Sequence, residues 1–142
     1  MAIQIVEEDI TFRKIKRSEI KELVRTVVER EGGITGDLSI VFCSDQFLLG
    51  INKTFLNRDY LTDVISFDYR EDDRISGDIL ISVERVKENA GIYQVTFPDE
   101  MRRIIIHGVL HLIGYEDDTK ENRENMTAKE NLYLGIVRAE GK

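Results

Sequence analysis

From Ile3 the segment IQIVEE alternates apolar and polar positions, the period of a half-buried strand. The period then changes. In RSEIKELVRTVVEREGG, residues Ile20, Leu23, Val24, Val27 and Val28 form one stripe at helical spacing. Ser18 is the expected N-cap, and Gly32 and Gly33 end the helix. LSIVFCS reads as a second strand. Ser44 caps a helix through DQFLLGINKTFL, with Phe47, Leu48, Ile51 and Phe55 on one face. TDVISFDY, residues 62–69, is a third strand, followed by a polar loop rich in Asp and Arg. GDILIS, residues 77–82, is the fourth. Ser82 opens a helix through VERVKENAG. Pro98, the first-turn acids Asp99 and Glu100, and Gly114 mark a helix over 98–113. A last amphipathic helix runs through KENRENMTAKENLYLGIVRAE. The order β-α-β-α-β-β-α-α-α predicts an α+β domain with helices covering a small sheet. The 142 residues suit one domain spanning 1–142, long enough to bury a proper core.

Composition changes this picture little. The chain is 42% hydrophobic and 33% charged, and no apolar run approaches the ~20 residues of a membrane helix. The MAIQIVEED start lacks the positive flank and apolar stretch of a secretion signal. The single cysteine, Cys43, lies in an apolar run and reads as a buried thiol. These features predict a cytoplasmic setting. The net charge of −7 argues against indiscriminate coating of nucleic acid. It leaves room for local positive groups, which cluster at RKIKR, Arg13–Arg17, and at Arg102 and Arg103.

Candidate chemistry sits in HGVLHLIGYEDD, residues 107–118, which holds both histidines of the chain. Positions four apart on a helix differ by about 40° around the axis and about 6 Å along it. His107 and His111 therefore point the same way, as two metal ligands must. A catalytic metal needs a third protein ligand and an open position. Gly114 can turn the chain back so that Glu116, Asp117 or Asp118 reaches the ion. Satisfied core histidines are the competing reading. The apolar surroundings, Ile104–Ile106 before and Leu110, Leu112 and Ile113 around, make two buried imidazoles without partners costly and favour a metal. Gly108 beside the first histidine is expected to admit another backbone or a substrate. It also stands where the metalloprotease pattern HExxH places its glutamate base. Peptide cleavage on that pattern would lack its base. Phosphodiester cleavage depends less on that residue, because a metal can polarise the phosphoryl oxygen, supply hydroxide or stabilise the leaving oxygen.

The same stretch resembles the HGxLHLxGYDH signature of the YbeY family, single-strand-directed endoribonucleases that mature ribosomal RNA. TDVISF at 62–67 and GDILIS at 77–82 resemble that family's TDVLSF and GDI segments in order and spacing. The similarity spans about residues 40–135. It implies a zincin-like fold, with about four strands in a small mixed sheet covered by about five helices. It also implies a zinc ion or another divalent transition metal, and a role in ribosome biogenesis. The partners so implied are ribosomal RNA or ribosomal particles, with ribosomal or assembly proteins besides. His107 and His111 match the first two zinc ligands. The third histidine of the pattern falls on Asp117, whose carboxylate is an accepted ligand. It also makes a two-histidine, one-carboxylate set like that of iron oxygenases. The arginine usual six residues before the TDV threonine is Leu56 here, and Arg58 is expected to reach the same space. Asn52, Thr62, Asp63 and Ser66 match polar positions. Simple alternation puts Thr62, Val64 and Ser66 on one face, beside the metal helix. The catalytic candidates are Arg58 and Ser66, with Arg102 or Arg103 as further phosphate contacts. The expected function is a metal-dependent endoribonuclease. The alternatives are a ribosome-docking module with a structural metal and a metal hydrolase of another substrate class.

Overall fold

The computed structural model describes residues 2–70 and 72–140. The elements follow the expected order: β1 Ile3–Glu7, α1 Arg17–Arg30, β2 Ile34–Cys43, α2 Asp45–Leu56, β3 Val64–Asp68, β4 Arg74–Ser82, α3 Val83–Tyr93, α4 Phe97–Ile113 and α5 Lys120–Glu140. The sheet is mixed, in the order β1-β2-β4-β3. Strands β1, β2 and β4 are parallel, and β3 runs antiparallel to β4 at one edge. This is the α+β architecture read from the pattern.

Caps explain most boundaries. Ser44, Ser82 and Thr96 each accept a backbone N–H from the first turn of α2, α3 and α4. The expected cap at Ser18 is a correction. The N-cap of α1 is Lys16, with no side-chain bond, and Ser18 lies inside the helix. Buried Ile15 anchors the chain one turn earlier, and Ile20 N–H closes on Lys16 O at 3.1 Å. Strands β2 and β4 both begin earlier than their alternation suggests. Their leading residues pair with each other across a register shift between Thr35 and Leu38.

The main core fills the space between the sheet and helices α1, α4 and α5. A smaller cluster of Cys43, Leu48, Ile65 and Leu80 lies under α2 on the other face. Helix α4 is the centre of the fold, packing on α1, α3, α5, β3 and β4. It buries Met101, Ile104, Ile105, Ile106, Val109, Leu110 and Leu112. Each such side chain stabilises by roughly 1.5–3 kcal/mol. Gly108 lets α4 approach the sheet. A Cβ there would stand 2.6 Å from Ile79 Cγ2. The group that comes close is thus a β4 side chain, where the sequence suggested a backbone or a substrate. Cys43 is fully buried and donates to Ile81 O at 3.4 Å, as a core thiol does, and burial pushes its pKa up to about 12.

Candidate metal centre

His107 and His111 stand on the face of α4 that looks toward the edge of the sheet. Gly114, at φ +125°, ends the helix. Its N–H and that of Tyr115 close back on Leu110 O at 3.1 and 3.0 Å. The reversed chain carries Asp117 over the histidines. The His107 and His111 Nε2 atoms are 3.0 Å apart, and Asp117 Oδ2 is 3.4 Å from each. Three ligand atoms at about 2.0–2.1 Å from a tetrahedral zinc would be about 3.3 Å apart. The observed triangle is close to one face of that tetrahedron. Its donors are two imidazole nitrogens and a carboxylate oxygen, a set that favours a cation between them. The donor set fits a divalent metal with a fourth position open. Glu116 and Asp118 are not part of the triangle.

Buried Glu130 of α5 accepts from His107 Nδ1–H at 2.7 Å and pairs with Arg103 at 2.9 Å. That bond fixes the tautomer that leaves Nε2 free for a metal. Burial works against charge on His107. Burial is the largest single influence, but the Glu130 hydrogen bond and the charges of Glu130, Asp117 and Asp63 together exceed it and raise the imidazole pKa. Glu100, two turns before His107 on α4, is also buried. Desolvation, with Asp63 and Glu130 nearby, pushes its carboxyl up to about 7 against the pull of Arg103. Asp63 is raised chiefly by burial and accepts from Asn89 Nδ2 at 3.3 Å.

The loop that carries Asp117 is tied from behind. Glu31, just past α1, accepts from the Tyr115 and Tyr133 hydroxyls and pairs with Lys129 at 3.1 Å. On the front, Arg70 donates to Leu112 O near the end of α4, where a cation suits the exposed carbonyls.

The triangle lies in a cleft of about 480 Å³ between α4, the β3 edge and the α2–β3 loop. Leu56, Arg58, Thr62, Asp63, Ser66 and Asp117 all line it. Arg58 and Leu56 therefore line the same cleft. Ser66 also lines the cleft, and its hydroxyl donates to Gly108 O at a long 3.4 Å, pinning β3 to α4. Asn52 is buried and donates to Tyr60 O at 3.0 Å, so it holds the loop. Arg102 and Arg103 are corrected as phosphate contacts. Arg102 is engaged by Glu19 and Asp99, Arg103 by Glu130 and Asn131, and neither lines the cleft.

Sequence reasoning passed over Glu130, although a signal was present. Met126, Glu130, Tyr133, Leu134 and Val137 share one helical stripe, and an acid among apolar residues there implies a buried partner.

Comparison with known proteins points to one family. The family model described as Endoribonuclease YbeY matches residues 4–137. A protein of that name from Parabacteroides distasonis is 42% identical over 137 residues, covering 96% of each chain. Another from Cytophaga hutchinsonii is 42% identical over 131 residues, covering 92% of each. The solution structure of a Thermotoga maritima protein superposes with a TM-score of 0.68 at 30% identity, covering 98% of this chain and 91% of that one. With the family model matched along nearly the whole chain and relatives this similar, the protein belongs to the endoribonuclease YbeY family.

Proposed function

We propose that this chain is a metal-dependent endoribonuclease that cuts single-stranded RNA in ribosomal RNA processing and ribosome biogenesis, with residues 1–142 acting as one catalytic unit in the cytoplasm. The observation that carries the reading is the His107–His111–Asp117 triangle set in a cleft that Arg58 also lines. The three residues would hold one zinc or another divalent transition metal. When bound, such an ion supplies Lewis acidity toward a phosphoryl oxygen and lowers the pKa of water. The chain's own residues do the rest. Glu130 holds the His107 tautomer. Ser66 keeps β3 and α4 at a fixed spacing. Arg58 meets a phosphate of the bound strand and stabilises negative charge as it develops there. No helix among the described residues is long and apolar enough to cross a membrane. Ribosomal RNA or ribosomal particles are the proposed partners, with ribosomal or assembly proteins directing the cut.

The test is cleavage of a single-stranded ribosomal RNA fragment by nuclease-free wild type beside His111→Ala. Cleavage by the wild type alone supports the reading. Equal cleavage by both, or by neither with zinc and ribosomal particles supplied, overturns it.

A further inference from the structure

The cleft is short of positive charge for a site that takes a polyanion. Asp63, Asp68 and Asp117 line it, against Arg58 as the one Lys or Arg among its lining residues. Even with a divalent ion in the triangle, which would offset two of the three carboxylates, phosphate contacts are a limited source of affinity, and the bases are left to contribute. The exposed aromatics are few. Phe55 packs edge-on against Phe67 with ring centroids 6.2 Å apart, and the Tyr69 hydroxyl is engaged by Asp78. Tyr93 lies at the end of α3, away from the cleft. Tyr60 is different. It lines the cleft, its residue is 54% exposed, and no aromatic ring packs on it among the described residues.

The loop that carries Tyr60 is built to hold it still. Asn57 takes a left-handed conformation at φ 55° to end α2. Arg58 N–H closes on Asn52 O at 3.1 Å, and the buried Asn52 side chain grips Tyr60 O. Lys53 pairs with Asp59 at 3.2 Å across the start of the loop. A held backbone lets the exposed ring meet a ligand with little further ordering cost.

We propose that Tyr60 is a base-stacking residue: an unpaired nucleobase of the substrate stacks on its ring while Arg58 holds a neighbouring phosphate. The inference rests on the endoribonuclease reading above and adds what selects single strands there. A base in a duplex is already stacked on its neighbours and cannot reach the ring. A base in a single strand can, and stacking tolerates any sequence because every base has a π face.

The experiment measures binding of a labelled single-stranded RNA of about ten nucleotides by fluorescence anisotropy. The full chain carries His111→Ala so that the RNA is not cut, with Tyr60 intact, as Tyr60→Phe or as Tyr60→Ala. Tyr60→Phe keeps the ring and should stay within about twofold. Tyr60→Ala should weaken binding by about tenfold, within the range of one base–aromatic stack. A series of RNAs, each with one abasic position, adds a readout that a merely structural role would not move. At one position the loss from Tyr60→Ala should vanish. Equal binding by all three proteins overturns the inference and leaves the endoribonuclease reading standing. A loss that persists at every abasic position also overturns it, because the ring then acts through the loop. Absence of RNA binding with Tyr60 intact overturns the inference together with the reading beneath it.

Discussion

Glu100 offers a stability test whose size follows from its surroundings. Its residue is 3% exposed, it shares the histidine-bearing face of α4, and it feels Asp63 and Glu130 as well as Arg103. Its carboxyl moves from 4.5 to about 7, which at about 1.4 kcal/mol per decade of proton affinity is about 3 kcal/mol. The native state therefore binds this proton more tightly than the unfolded chain does. From pH 4.5 up to about 7 the unfolded state has released the proton and the native state has not, so stability falls as pH rises through that window and levels off above it. Glu100→Gln keeps the shape and removes the charge. Metal-free wild type and variant are unfolded by heat and by urea at pH 5 and pH 8. At pH 8 the variant should gain about 3 kcal/mol relative to its margin at full protonation, roughly 10 °C in Tm. At pH 5 the gain should shrink to below about 1 kcal/mol. Any cost of burying the amide is common to both and cancels in the difference. The same margin at both pH values would refute the assignment of a strained, buried charge at Glu100.

Three further outcomes follow from the same geometry. Glu130→Ala should weaken zinc binding by roughly 10–100-fold, because His107 loses the acceptor that fixes its tautomer; competition with a chromophoric chelator reads this, and unchanged affinity would remove Glu130 from the site's support. Asp117→His should retain or tighten zinc binding in the same assay, and a clear loss would count against Asp117 as the third ligand. Gly108→Ala drives a Cβ to 2.6 Å from Ile79 Cγ2, and overpacking of about 1–3 kcal/mol exceeds the gain of up to about 1 kcal/mol in helix propensity; a urea midpoint at or above wild type would contradict it.

The order of elements was legible because each segment keeps one period and most helices open on a Ser, Thr or Pro signal. The histidine pair was legible because it is local, two residues on one helical face. What escaped depends on partners distant in sequence. The leading halves of β2 and β4 carry weak alternation and become strands by pairing with each other. Ser18 looked like a cap because capping is a local rule, but burial of Ile15 set the helix start instead. Arg102 and Arg103 looked like free cations until α1 and α5 supplied Glu19 and Glu130. The turn at Gly114 left Glu116, Asp117 and Asp118 open, and Asp117 was singled out by its register in the family signature, whereas the carboxylate behind His107 comes from α5, 23 residues further on.

The tie behind the Asp117 loop has a consequence for the order in which the protein becomes competent. Both histidines and Asp117 are synthesised before α5, but Glu130, Lys129 and Tyr133 all belong to that last helix. A nascent chain that has not yet delivered α5 carries all three ligands, yet lacks the acceptor for His107 and two of the three groups that Glu31 gathers. Full affinity for an ion in the triangle would thus wait for α5, after His107, His111 and Asp117 have all been made.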